Sequence, residues 1–196
     1  MNANTLKFAF ILICALAPFA YGRRVYCARD ALFLRLALTL TACADFCLLI
    51  TNWRIPGVLL FCLVQCTYTA RYGGRARAAA LLAAWVPLFP LLLAIAPAET
   101  AVSAVYAVSF GFSLTSVVGA FAGGKYPFPN NYLTLLGMVL FAICDINVAL
   151  YNIRIPIFNE RQDLIFFIMW SAYLPAQAML SASGYDYARL RDKNSR

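Results

Sequence analysis

Long apolar segments alternate with short polar turns along almost the whole chain. Each segment is about 20 residues long, the length that an α-helix needs to cross the hydrocarbon core of a bilayer. The segments cover residues 5–22, 31–51, 56–72, 78–96, 100–121, 132–151 and 163–183. Polar turns, several of them with Pro or Gly, separate these segments. The pattern predicts an all-α, polytopic membrane helix bundle of about seven transmembrane helices, forming a single domain over residues 1–196.

Composition agrees with this prediction, and the distribution of charges predicts how the bundle is oriented in the membrane. The chain is 63% hydrophobic and only 12% charged, with a formal net charge of +8. The positive residues lie in the turns, which argues against a nucleic-acid-binding surface. Most of the 16 Lys and Arg residues fall on one side of the predicted bundle; Lys7, Arg54, Arg154 and Arg161 fall on the other. Because cytoplasmic loops carry the excess of Lys and Arg, we expect the N-terminus outside and the C-terminus inside.

Tyrosines near the ends of the segments are expected in the aromatic belts at the membrane interfaces. This group comprises Tyr21, Tyr26, Tyr126 and Tyr132.

Two aspartates, Asp45 and Asp145, lie deep inside apolar segments, and their surroundings repeat. Seven residues after each aspartate comes an Asn. One residue separates this Asn from the sequence R-I-P, which occupies 54–56 and 154–156. Both acids therefore lie roughly 10 Å below the outer boundary, on helices that run in the same direction. A charged group at such depth is costly and usually has a partner. We therefore expect a parallel internal repeat in which the two acids face each other.

The chain contains no histidine, which excludes Ser-His-Asp and Cys-His catalysis and histidine metal sites. The seven cysteines form no CxxC pair, so we predict apolar packing for them, with no metal and no cofactor. Of two carboxyl groups in a low dielectric, one is expected to stay protonated while the other ionises. Such a pair suits general acid catalysis and equally suits a proton-coupled carrier.

Polar side chains on the other segments are predicted to line a pocket with water access around the two acids. These residues are Gln65, Tyr68, Tyr106, Tyr173 and Gln177.

Five short motifs, in order, resemble those of the lysoplasmalogenase-like YhhN family of polytopic membrane proteins. Residues 57–68, GVLLFCLVQCTY, resemble the family's GxxxFxxxHxxY helix, and residues 137–145, GMVLFAICD, resemble its GAxxFxxSD helix. Shorter matches are Ala44-Asp45 to Gly-Asp, Val105-Tyr106 to VY, and residues 173–177 to YxxAQ. The sequence departs from the family at Gln65, where His is usual, and at Cys144, where Ser is usual.

The resemblance implies hydrolysis of the vinyl-ether bond of lysoplasmalogens to a fatty aldehyde and a glycerophospho-base. Asp45 and Asp145 would be catalytic, and the five pocket residues would bind the lysophospholipid substrate. The protein would lie in the bilayer of a bacterial cell membrane. The alternative is a proton-coupled transporter of a small molecule or lipid that uses the same two acids. An intramembrane aspartyl protease fits less well, because the second aspartate follows Ala-Ile-Cys rather than Gly-x-Gly.

Overall fold

The computed structural model describes residues 3–22, 24–153 and 161–188. The helices in these ranges are α1 (Ala3–Ala20), α2 (Ala28–Asp45), α3 (Arg54–Gly73), α4 (Arg75–Ile95), α5 (Ala98–Ala122), α6 (Asn130–Ile153) and α7 (Gln162–Ala182). A π-helical segment, Phe46–Ile50, continues α2. Each predicted apolar segment corresponds to one of these helices to within a few residues. The prediction of an all-α polytopic bundle is confirmed.

Six of the described helices are long and apolar enough to cross a membrane, so the chain is an integral membrane protein. The exception, α3, carries buried polar side chains such as Gln65, Thr69 and Arg71. It packs against α2, α4 and α5, which shield these groups from lipid. Lipid-facing residues are instead prominent on α4, where Val86 and Ile95 are each 74% exposed. A helix that is largely enclosed by other helices does not need the hydropathy of a lipid-facing one.

The helices α2 and α6 begin at the same end of the bundle, the end predicted to be cytoplasmic. Tyr126, just before α6, donates a hydrogen bond of 2.7 Å to Asp30 in the first turn of α2. Asn130, the first residue of α6, donates to the carbonyl of Ser183 beyond α7 at 2.8 Å. The two helices therefore run in the same direction, as expected. Tyr126 is only 4% exposed, so its assignment to the interfacial belt was wrong: its hydroxyl turns inward to the Asp30 carboxylate.

The two copies of the repeated sequence take different conformations after their aspartates. After Asp45 the chain enters the π-helical segment, and Asn52 lies outside any helix with a φ of 56°. Asn152, by contrast, is still part of α6, and its side chain donates to the carbonyl of Val148 at 2.7 Å. The second R-I-P copy, 154–156, lies outside the described residues.

A buried ion pair joins the helix ends at the predicted cytoplasmic side. The Arg71 guanidinium donates to both carboxylate oxygens of Asp30, at 3.0 and 2.7 Å, and to the Ser183 hydroxyl at 3.1 Å. The Lys125 ammonium donates to the carbonyls of Arg71 and Tyr72 at 2.6 and 2.9 Å, which the end of α3 leaves unpaired. Burial lowers the pKa of Lys125, while Asp30 acts in the opposite direction. We call Arg71, Asp30, Ser183, Lys125 and Tyr126 the Arg71 cluster.

We expect Asp30→Asn to destabilise the protein by about 3–5 kcal/mol, because it leaves the Arg71 charge buried without its counter-charge. The two side chains are 9% and 0% exposed. Circular dichroism during SDS or thermal unfolding of the detergent-solubilised protein measures the effect. Arg75→Gln, which removes an exposed charge at the start of α4, serves as the control. Equal stability of Asp30→Asn and wild type would contradict a stabilising role for the pair.

Candidate active site

Asp45 lies at the junction between the α-helical part of α2 and its π-helical continuation, and it is 4% exposed. Single turns of π-helix occur frequently at functional sites, where they change the direction of the side chains that follow. On the neighbouring α3, a Cβ atom at Gly57 would lie 2.6 Å from the Leu48 side chain and 3.3 Å from the Ala44 carbonyl. Glycine at this position lets α3 approach the turn that holds Asp45.

Each aspartate accepts a hydrogen bond from a tyrosine on a different helix. The Tyr173 hydroxyl on α7 donates to Oδ2 of Asp45 at 2.5 Å. The Tyr106 hydroxyl on α5 donates to Oδ2 of Asp145 on α6, also at 2.5 Å. Each of these hydrogen bonds fixes the orientation of one carboxyl group. Two predicted pocket residues thus contact the two predicted acids directly.

The two acids, which we call the acid pair, are linked through one aromatic contact: Tyr173, which bonds Asp45, packs against Phe141, one helical turn before Asp145. The residue before Asp145, Cys144, is also buried. Asp145 keeps partial exposure, whereas Asp45 is buried. The fold therefore brings both predicted acids into one region of the bundle, although they are 100 positions apart in the sequence.

A cluster of aromatic rings packs beside the acid pair. Phe141, one helical turn before Asp145, contacts Tyr173 with a centroid separation of 5.5 Å. Its ring also contacts Phe61 at 6.1 Å, and Phe61 contacts Tyr106 at 6.0 Å. Edge-to-face contacts at these distances are favourable and restrict ring motion. The rings therefore hold the two tyrosine hydroxyls in position and keep water from that side of the acids.

A short chain of hydrogen bonds extends from Asp145 through Tyr106 to Gln65. The Gln65 amide nitrogen donates to the Tyr106 oxygen at 3.4 Å, and the Ser113 hydroxyl donates to the Gln65 carbonyl oxygen at 2.6 Å. Gln65 and Ser113 are both fully buried. Ser113 was not among the predicted residues. Its position two turns after Tyr106 on the same face of α5 is the signal in the sequence that could have identified it.

Tyr68 and Gln177 occupy a different level of the bundle from the acid pair. They lie one turn further towards the predicted cytoplasmic end than Gln65 and Tyr173 respectively. Within the described residues, the Tyr68 hydroxyl and both amide atoms of Gln177 are buried without hydrogen-bond partners, as is the Ser181 hydroxyl. Buried groups that can both donate and accept are the usual sites of ordered internal water. The structure does not bring Tyr68 or Gln177 into hydrogen-bond contact with either acid.

Two surface grooves lie away from the acid pair. One is apolar, lies between α3, α4 and α5, and includes Leu63, Trp85 and Val105. The other surrounds residues 52–56 and Glu99. Neither Asp45 nor Asp145 lines either groove. In the part of the chain that the structure describes, no three His, Cys, Asp or Glu side chains are grouped to hold a metal ion.

Carboxyl groups that are each oriented by a tyrosine are of the chemical type that can donate and accept protons. The fold and this site define a polytopic α-helical membrane protein with an intramembrane acid pair. The chain belongs to the YhhN family, whose model matches residues 4–184 and so includes nearly all of the seven described helices. The resemblance inferred from the five motifs is confirmed. No curated protein and no solved structure matches the chain significantly.

We expect Ser113→Ala to lower stability by about 1–3 kcal/mol, because the buried Gln65 carbonyl oxygen loses its donor. Unfolding in detergent, followed by circular dichroism, measures this loss. Ser103→Ala is a matched control, since Ser103 lies on the same helix, is exposed and bonds only its own helix backbone. If both variants unfold like wild type, Ser113 does not stabilise Gln65.

Proposed function

We propose that this protein is an intramembrane lipid hydrolase of the lysoplasmalogenase type. It would cleave the vinyl-ether bond of lysoplasmalogens into a fatty aldehyde and a glycerophospho-base. The proposal is supported chiefly by the acid pair, two carboxyl groups inside the bundle that are each hydrogen-bonded to a tyrosine and linked through the Phe141–Tyr173 contact. Membership of the YhhN family and the motif resemblance support it further.

The reaction needs one group that supplies a proton and one that removes a proton from water. The protonated member of the acid pair transfers its proton to the β-carbon of the vinyl ether, which leaves an oxocarbenium ion. The ionised member stabilises this cation and deprotonates the water that adds to it, forming a hemiacetal. The first carboxylate then takes the hemiacetal hydroxyl proton while the second carboxyl returns its proton to the departing alcohol oxygen. The products are aldehyde and alcohol, and both carboxyl groups regain their starting states, in a division of labour similar to that of glycosidases.

The hydrogen bonds around the acid pair are compatible with this cycle. In the described residues, the hydrogen bonds to Asp45 and Asp145 engage only one oxygen, Oδ2, of each carboxyl group. The second oxygen of each remains available to exchange a proton with substrate or water. Tyr106 and Tyr173 act here as positioning groups for the acids, and Gln65 positions Tyr106. The apolar chain of the lipid would lie between helices.

We expect Asp45→Asn and Asp145→Asn each to reduce turnover by at least about a hundredfold, because neither amide can carry the transferred proton. The assay follows aldehyde release from lysoplasmenylethanolamine by the purified protein. Glu99→Gln, which changes an exposed carboxylate on α5, should retain full activity. Activity that survives both single changes in the pair would exclude this mechanism.

We expect Tyr106→Phe and Tyr173→Phe to slow turnover roughly 10- to 100-fold, since each loses the hydrogen bond that orients one of the acids. The same assay measures kcat for both. Tyr132→Phe, which removes a hydroxyl from a side chain that is 48% exposed, is the matched control. A wild-type kcat in both variants would show that the tyrosines do not position the acids.

A proton-coupled transporter is the second candidate, and one observation favours it. The unpartnered groups of Tyr68, Gln177 and Ser181 continue from the level of the acid pair towards the Arg71 cluster, as a proton path would require. Proteoliposomes distinguish the two functions: a transporter moves its substrate chemically unchanged and dissipates an imposed pH gradient. Release of aldehyde in detergent, without any membrane to cross, would exclude transport as the explanation of turnover.

A further inference from the structure

The helix α7 begins at the predicted outer side of the membrane. One of its faces extends from that end to the acid pair. Gln162, Phe166, Trp170 and Tyr173 are spaced by four, four and three residues and so share this face. The Phe166 and Trp170 rings are 6.3 Å apart, and the Trp170 and Tyr173 rings are 5.8 Å apart. Because Tyr173 bonds Asp45, the face forms a continuous route to the acid pair.

A cation from α1 lies over this face. The Lys7 ammonium is 3.9 Å from the centre of the Trp170 ring and 4.3 Å from that of Phe166. The next residue, Phe8, contacts Phe46, which directly follows Asp45, with a centroid separation of 5.8 Å. The backbone of α1 at Lys7 is thus at about the depth of Asp45, and the Lys7 side chain is partly buried.

Within the described ranges, no carboxylate forms an ion pair with Lys7. The ion pair found there joins Arg71 and Asp30, at the other end of the bundle. The aromatic rings compensate only part of its charge, because cation–π contacts are weaker than a buried ion pair. A cation at this depth is costly unless an anion accompanies it. An anion from outside the protein would supply the missing charge.

The two unpaired polar atoms on this face of α7 are both donors. Within the described residues, the Gln162 amide nitrogen and the Trp170 indole nitrogen are buried without an acceptor. This distinguishes the route from the region around Tyr68 and Gln177, where the unpartnered atoms include acceptors and water can satisfy them. A set of N–H donors that includes a charged one matches a ligand whose oxygens only accept, and a phosphodiester is such a ligand.

We propose that Lys7, Gln162 and Trp170 bind the phosphate of the substrate headgroup while the vinyl ether reaches the acid pair. This inference rests on the proposed function and adds the group by which the site selects a phospholipid. Trp170, the innermost of these donors on α7, lies about one helical turn before Tyr173, which bonds Asp45, and this separation is close to the length of the glycerol unit that joins the phosphate to the ether oxygen. The site then prefers lysophospholipids over glycerol ethers that lack phosphate.

The test compares two substrates that differ only in the headgroup: lysoplasmenylethanolamine and the corresponding 1-O-alkenylglycerol. Lys7→Gln should raise KM for the phospholipid about tenfold or more and leave KM for the alkenylglycerol at the wild-type value. Lys7→Arg should keep the preference for the phospholipid. Arg54→Gln, an exposed cation at the same end of the bundle, should alter neither KM. Equal effects of Lys7→Gln on both substrates, or no effect on either, would overturn the phosphate site while leaving the hydrolase in place.

A binding measurement separates this inference from the proposed function. Trp170 fluorescence can be followed in a protein whose other two tryptophans, Trp53 and Trp85, are replaced by Phe. The ligands are ether lipids that cannot be hydrolysed: 1-O-alkyl lysophosphatidylethanolamine and 1-O-alkylglycerol. We expect the phosphate-bearing lipid to change the fluorescence at about tenfold lower concentration, and Lys7→Gln to remove that difference. If the protein releases no aldehyde but shows this difference, the phosphate site stands and the hydrolase proposal fails. If the two lipids bind equally, the phosphate site is wrong.

Discussion

The placement of two carboxyl groups within the helices of a membrane bundle is the constraint on which the rest of the site depends. A carboxylate at that depth must find hydrogen-bond donors inside the protein, since lipid offers none. Tyr106 and Tyr173 provide these donors, and they belong to helices other than those that carry the acids. The need to satisfy Asp45 and Asp145 therefore joins α2 to α7 and α5 to α6. The same two hydrogen bonds therefore orient the acids and hold the four helices in contact.

The same constraint explains the character of α3. A central helix that contributes Gln65 to one polar level and Arg71 to another cannot also be apolar enough to face lipid. The other helices compensate by carrying the lipid-facing surface, so that polar groups are concentrated at the centre and apolar groups outside. Gly57 lets α3 approach the turn of α2 that holds Asp45, and Gly137 has a similar role on α6, where a Cβ would lie 2.9 Å from the Leu180 side chain.

Much of this arrangement can be read from the sequence, because bilayer thickness fixes the length of apolar segments and a buried acid is conspicuous within one. That reasoning located all seven described helices, both aspartates and the two tyrosines that bond them. It could not determine which tyrosine meets which acid, since that depends on helix packing rather than on spacing along the chain. Nothing in the sequence FCLLI of the π-helical segment distinguishes it from ordinary α-helix. Ser113 likewise resembles any other small residue on a membrane helix. Asp30 and Arg71 are 41 positions apart and resemble ordinary charges at segment ends until the fold buries them together.

The contrast between Asp30 and the acid pair shows why tyrosine is the suitable partner at the site. Both oxygens of Asp30 accept hydrogen bonds from Arg71, and Tyr126 adds a third, so both oxygens of this carboxylate are engaged. Such a group holds helices together but has no free oxygen with which to exchange a proton. A tyrosine hydroxyl engages one oxygen, brings no charge of its own, and leaves the acid free to be either protonated or ionised. One chain thus holds aspartate in two ways: Arg71 and Tyr126 engage both oxygens of Asp30, whereas a single tyrosine engages one oxygen of Asp45 and of Asp145.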